Sequence, residues 1–521
     1  MSLVKGRHAI KWGTTIYRIQ INANSSDFPF MQFNSLDDFV NDRLAIVNIS
    51  AATPGNGTRA TQIGVYVQDS FQVRPTLTLD YGLRYDIETV PHDSKYATRP
   101  FDTRCMCLAP AGTSYFHINN KDFGPRVGLA WSPFSRVVVR TGYGIYFQDY
   151  PVGFGSYFVP SNTVTGNITL LQQQIPNLTY PYDSFLSQTA VFPPNVNGFP
   201  WHKPDIYVNQ YNFSVATQIG TNMAVQVAYL GNHGVNLWRE YGINYFDPAL
   251  GARPLPQFGN VLLQSNTGFN SYNGLQLSVK RRMDKGFMFD VEYSLGHGID
   301  DVDDQGLFAS DPQDSNNFRA ERGNGSGDIR HNISFNTMYE LPFGQGKRLL
   351  GSANGAVERL VGGWSVAALG ILRTGVASTV HSTNTFGNGN FTNQRPNRVV
   401  GVSQYGTGSG PDNFLNGAAF SMPAAGTFGN LGRDTFYGPS YKQIDFSVLK
   451  KTRLTEEKNL EFRAEFFNLF NHPNFDEPNS FWGTDGSGKV FSSFGQIFNT
   501  LGRTLGVGTS RQIQLALRFN Y

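Results

Sequence analysis

Residues 76–87 read TLTLDYGLRYDI, and their side chains alternate without a break. Leu77, Leu79, Tyr81, Leu83, Tyr85 and Ile87 fall on one phase; Thr76, Thr78, Asp80, Gly82, Arg84 and Asp86 fall on the other. A period of two belongs to a strand with one apolar and one polar face. The pattern recurs along the chain. Val137, Val139, Tyr143, Ile145 and Phe147 alternate with Val138, Arg140, Gly142, Gly144 and Tyr146, and Tyr211, Phe213, Val215 and Ile219 alternate with Asn212, Ser214, Ala216 and Gln218. The chain closes on Ile513, Leu515, Leu517, Phe519 and Tyr521, set against Gln512, Gln514, Ala516, Arg518 and Asn520. These runs reach about ten residues, where strands of soluble proteins have about five or six. A tilted strand needs about nine to eleven residues to cross a bilayer.

The connections carry a second signal. Tight joints are expected at Arg74 and Pro75, at 132–135, at 220–222, at 283–285 and at 451–457, with a longer one at 342–363. Between them lie long stretches rich in Gly, Asn, Pro and Ser: 151–204, 233–270, 375–440 and 471–510. Short and long connections in strict alternation fit an outer-membrane barrel with periplasmic turns and extracellular loops. The expected fold is an all-β, transmembrane antiparallel β-barrel, with about fourteen strands from His8 to Tyr521 and a periplasmic C-terminus. Tyr81, Tyr85, Tyr143, Phe147, Tyr229, Tyr293, Phe466, Phe470 and Tyr521 sit towards strand ends, where amphipathic rings settle at the headgroup level. A soluble propeller or tandem sandwich also alternates, but it needs a turn signal about every 8 to 12 residues and gives no reason for very long loops at every second joint.

Composition agrees. The 521 residues are 40% hydrophobic, 14% aromatic and only 16% charged, with 56 Gly and a formal net charge of +3. Soluble domains carry about 25% charged residues, yet the mean hydropathy of −0.31 is not that of a helical membrane protein. The longest nearly apolar run, 361–372, falls short of the roughly 20 residues a spanning helix needs. The start, MSLVKGRHAI, lacks the basic and apolar segments of a secretory signal. The small net charge suggests no nucleic-acid partner. Cys105 and Cys107, the only cysteines, form neither a disulfide framework nor a zinc-ligand set; a loop position, with or without a bridge, is expected.

Several segments resemble the barrel signature of TonB-dependent outer-membrane receptors. They include Gly64-Val-Tyr-Val-Gln-Asp-Ser-Phe71 followed by Leu77-Thr-Leu-Asp-Tyr-Gly-Leu-Arg-Tyr-Asp86. Phe123-Gly-Pro-Arg-Val-Gly-Leu-Ala-Trp131, Leu341-Pro-Phe-Gly344 with Gly363-Trp364, and Phe462-Arg-Ala-Glu-Phe-Phe-Asn-Leu-Phe-Asn-His-Pro-Asn-Phe475 are similar to the Oar-like branch. So are Asn416-Gly-Ala-Ala-Phe420 with Pro423, Gly438-Pro439, and Ile513-Gln-Leu-Ala-Leu-Arg-Phe519. The resemblance implies energised uptake of an external solute, driven by the TonB system through a plug. It also implies a barrel of about 22 strands, so residues 1–521 are expected to be the C-terminal part of a receptor barrel. Signal peptide, TonB box and plug would then lie outside this sequence. The terminal Tyr521, in phase with Phe519, resembles the aromatic end read by the barrel-assembly machinery. Bacterial outer-membrane lipid is the expected surroundings. The alternative is a plugless outer-membrane binding or adhesion protein that acts through its extracellular loops.

Catalytic signatures are missing: no G-x-S-x-G, no H-E-x-x-H, and no Walker A, since Gly346-Lys347 is followed by Arg348. No enzyme activity and no cofactor are expected. Asp300, Asp301, Asp303 and Asp304 open a long loop and are weak metal candidates, because their spacing is not that of an EF-hand. His233, His297 and His331 lie near outer strand ends. Arg84, Asp86, Arg126, Arg140, Lys280, Asp290, Glu292, Arg463, Glu465 and Arg518 all fall on polar phases. Each would cost up to a few kcal/mol facing lipid at the midplane, so they are expected to line the lumen or meet a plug, Arg84 and Arg518 foremost.

Overall fold

The computed structural model describes residues 1–23, 30–33, 35–49, 56–95, 99–147, 168–171, 177–180, 193, 195–245, 247, 250–302, 312–383, 394–407, 410–485, 487–502 and 510–521. Its main body is one antiparallel meander, and only the strands of that wall are numbered. They are β1 (Ser2–Lys5), β2 (His8–Ala23), β3 (Asn56–Arg74), β4 (Leu77–Glu88), β5 (Asp122–Phe134), β6 (Val137–Phe147), β7 (Tyr207–Ile219) and β8 (Met223–Gly242). There follow β9 (Val261–Asp284), β10 (Phe287–Asp300), β11 (His331–Glu340), β12 (Trp364–Arg373), β13 (Tyr441–Arg453), β14 (Asn459–Phe467) and β15 (Gln512–Asn520). Each pairs with the next in chain order. The short β1 precedes His8, where the sequence reading begins. Among the described residues no pairing joins β1 or β2 to β15.

Residues directly opposed in an antiparallel pair share a face. The register therefore carries the alternation of 76–87 from strand to strand: Leu83 lies opposite Val67 and Pro125, and Arg84 opposite Tyr66 and Gly124. The outward face is apolar and exposed, with Val67, Val127, Phe213, Val227 and Leu275 among its members. Tyr81, Tyr85, Tyr143, Phe147, Tyr229, Tyr293 and Phe466 all share that outward phase. The inward face is mostly polar, with Leu369, Ile371 and Leu449 as apolar members on β12 and β13.

Four boundaries differ from expectation. At 132–135 and 283–285 the strands run on through register shifts to Phe134 and Asp284, so the turns are 135–136 and 285–286. Lys285 and Gly286 both have positive φ, 51° and 79°, as a two-residue type I′ hairpin requires. The stretch 233–270 is not a loop throughout. β8 and β9 continue past the membrane to Gly242 and from Val261, held in part by the Asn270 side chain accepting from Gly234 N at 2.8 Å. β10 likewise runs on to include Asp300, a residue expected to open the loop. The long joint 341–363 contains a helix, Gly355–Val361.

Outside the wall, the described residues of 375–440 and of 471–502 pack on each other. Val380, Leu415, Ala419, Phe420, Leu431, Phe436, Trp482 and Phe494 form a buried apolar cluster there.

Candidate functional site: the inner wall

By register, the residues expected to line the lumen or meet a plug all share one face of the wall, the face opposite to that of Leu83 and Val127. Most are satisfied across short distances along or between strands. Arg84 forks onto Asp86 at 2.7 Å. Lys280 reaches Glu292 at 2.7 Å and Asp290 at 3.3 Å, and Ser278 Oγ donates to Glu292 at 2.9 Å. Arg463 holds Glu461 at 2.8 Å and Glu465 at 3.6 Å. Arg126 lies over the Tyr146 ring at 4.3 Å. Arg140, opposite Ala130 and Ser214, and Arg518, opposite Glu461, have no carboxylate within ion-pair distance among the described residues. Such charges are affordable only against water or another polar surface.

Cavities lie along this wall. One, about 490 Å³, is lined by Lys11, Gln68, Arg84, Arg126, Tyr146 and Asn212 among others. The second, about 800 Å³, sits at the outer end of β8 to β13.

The acidic segment is already engaged. Arg433 pairs with Asp300 and, at 2.9 Å, with Asp434; Arg239 pairs with Asp301 at 2.8 Å. A cation at Asp300 and Asp301 would have to displace two arginines. Asp303 and Asp304 lie outside the described residues. His331 Nδ1 is 2.9 Å from Tyr293 Oη on the outward face, His297 Nδ1 is 3.5 Å from Asp328, and His233 lies outward on β8. The three histidines do not converge. Cys105 and Cys107 are bonded to each other across Met106.

Sequence reading misses two buried charged groups. Arg395, 2% exposed, forks onto Glu321 at 2.7 and 3.0 Å, while Gln313 accepts from its backbone N. The partners are 74 positions apart in aperiodic loops, and no local pattern announces them. At the outer end of β5, above the ring pair Tyr85–Phe123, Asp122 faces Asp205 in a small cavity also lined by Asp86, Glu88 and Lys203. Burial, then the neighbouring Asp205 carboxylate and Asp86, push Asp122 up to about 7. Burial lowers Lys203 to about 8, with Asp205 and Glu88 opposing that shift.

Among the described residues, no nucleophile and base are brought together on the inner wall, whose surface is mostly polar.

Solved structures share this architecture. The outer membrane transporter YddB from Escherichia coli is similar over 100% of this chain and 52% of its own, with TM-score 0.50 and 10% identity. The FrpB iron transporter from Neisseria meningitidis is similar over 99% of this chain and 54% of its own, with TM-score 0.47 and 12% identity. The ferripyoverdine receptor of the outer membrane of Pseudomonas aeruginosa is similar over 99% and 46%, with TM-score 0.47 and 12% identity. The chain thus spans about half the length of the solved structures it matches. No curated protein matches the sequence. The outer membrane beta barrel domain matches residues 1–514, nearly the whole of the strand meander, and the chain belongs to that family of bacterial outer-membrane proteins.

Proposed function

We propose that the chain forms the barrel wall of a TonB-dependent receptor of the Oar-like branch, which admits an external solute when TonB acts through a plug. The inward face carries this reading. Most of it is polar, Leu369, Ile371 and Leu449 being apolar members on β12 and β13; its charges are mostly paired within the wall, and Arg140 and Arg518 remain for a docked segment. Small barrels of about eight strands fill their interior with side chains. A wall this wide needs water or a plug inside. The barrel-assembly machinery would recognise β15, whose outward face is Ile513, Leu515, Leu517 and Phe519. In this reading the protein catalyses no reaction.

The packed extracellular loops favour one other reading, a surface-binding or adhesive protein, because they build a core of their own. Gene deletion in parental and tonB-deleted cells separates the two, with labelled neutral oligosaccharides and ferric citrate as limiting nutrients. The receptor reading predicts lost uptake of one nutrient class that the second deletion does not deepen. Lost surface attachment with unchanged uptake would support adhesion instead.

A further inference from the structure

The 800 Å³ cavity differs chemically from the rest of the inner wall. Its wall strands contribute two directly opposed rows, Asn232, Tyr272 and Gly298 in one and Ser294, Asn332, Arg373 and Tyr441 in the other, with Ile299, Ile329, Ile371 and Leu501 beside them. Apart from Arg373 and Gly298, the two rows carry neutral amides, hydroxyls and rings. The cavity's two carboxylates are already committed. Asp300 pairs with Arg433; Asp328 accepts from Gly298 N at 2.8 Å and from Tyr437 Oη at 3.1 Å. The one lining cation, Arg373, lies 5.4 Å over the Tyr441 ring. An anionic metal chelate would meet little compensating charge here.

Hydrogen-bonding capacity, by contrast, is unspent. Asn232 Oδ1 is screened from solvent and accepts no hydrogen bond among the described residues, a state that native interiors avoid. The side chains of Ser294 and Asn332, also in this lining, have no intramolecular partner among the described residues. Tyr272 completes the arrangement. A side chain at Gly296 would begin 2.4 Å from Tyr272 Oη, and one at Gly274 2.7 Å from it. Two glycines therefore let the ring lie flat against the wall. Tyr146 lies over Gly144 in the same way but is covered by Arg126; no ring or cation covers Tyr272 among the described residues.

A flat aromatic face bordered by uncommitted amides and hydroxyls suits a ligand with an apolar C–H face and a rim of hydroxyl groups. We propose that this cavity is a saccharide subsite, with Tyr272 as the stacking platform and Asn232, Ser294 and Asn332 as hydroxyl partners. The subsite rests on the receptor reading for its purpose but not for its chemistry.

The test is calorimetric titration of the full chain in detergent micelles with maltohexaose, cellohexaose, xylohexaose and laminarihexaose, with ferric citrate as the anionic comparison. At least one hexasaccharide should bind and ferric citrate should not displace it. Tyr272→Ala should weaken binding about tenfold, the scale of one lost stacking contact, while Tyr272→Phe retains most of it. Gly296→Ala should weaken binding by lifting the ring, although Gly296 offers the sugar no side chain. If Tyr272→Ala loses the heat-modifiable gel shift of a folded barrel, Asn332→Ala is read in its place and should weaken binding severalfold. Absence of binding by all four sugars at millimolar concentration overturns the subsite, as does equal binding by folded Tyr272→Ala and Asn332→Ala. Energised uptake of a different solute without sugar binding would overturn the subsite and leave the receptor reading intact. Sugar binding without energised uptake would do the reverse.

Discussion

At the scale of single residues, the wall depends on glycines that make room for tyrosines. On the outward face, a side chain at Gly231 would begin 2.1 Å from Tyr211 Cε2, while Tyr211 Oη donates to Asn273 at 3.0 Å. Gly231→Ala must push that ring away, and overpacking of this kind costs about 1–3 kcal/mol; thermal unfolding in detergent should show the loss. Arg395 poses a different problem. Removing it leaves Glu321 buried without its partner, which costs about 3–5 kcal/mol. Arg395→Ala should therefore loosen the extracellular loops, seen as faster proteolysis within 312–330 and 375–440 while the wall keeps its gel shift. Asp122 makes a pH prediction. Its pKa is about 7 in the folded chain against 3.8 for the free group. Between those values the unfolded chain has released a proton that the folded chain keeps, so stability falls as pH rises from about 4 to 7 and is level above that. Asp86, Glu88, Lys203 and Asp205 face the same cavity, and the Lys203 shift acts only above pH 8. Asp122→Asn should flatten the melting temperature between pH 5 and 7; an unchanged slope would rule the assignment out.

At the scale of elements, the strands were legible because each carries its own period. Residues 76–87 needed no distant partner to show one apolar and one polar side, and the register shows that neighbouring strands keep the same sides. Strand ends were less legible. Asn266, Asn270 and Asp300 look like loop residues, yet cross-strand contacts extend β8, β9 and β10 over them. The extracellular contacts were not legible at all, since Arg433 and Asp300 lie 133 positions apart. Exposure also records position within the sheet: Leu515 on terminal β15 is 67% exposed, while Leu277 between β8 and β10 is 36% exposed. Phe213→Arg on the outward face should cost about 2–4 kcal/mol if it lies near the midplane. Asn212→Arg, one residue away, should be nearly neutral. The yield of heat-modifiable protein in the outer membrane compares the two directly.

At the scale of the whole molecule, a chain with few charges, many aromatic residues and a negative mean hydropathy becomes coherent. Half of each strand meets lipid, the other half meets water, and polar loops lower the average. The central claim is that one face of this meander meets lipid and the other a wet lumen, and the wall's alternation offers a direct test. Cys105 and Cys107 are bonded to each other and leave no free thiol among the described residues, so single cysteines can be placed one at a time along β7. Labelling with a membrane-impermeant thiol reagent in intact outer-membrane vesicles should mark Asn212→Cys, Ser214→Cys and Ala216→Cys. Tyr211→Cys, Phe213→Cys and Val215→Cys should stay unlabelled until detergent is added. Uniform labelling of both sets without detergent would contradict the account.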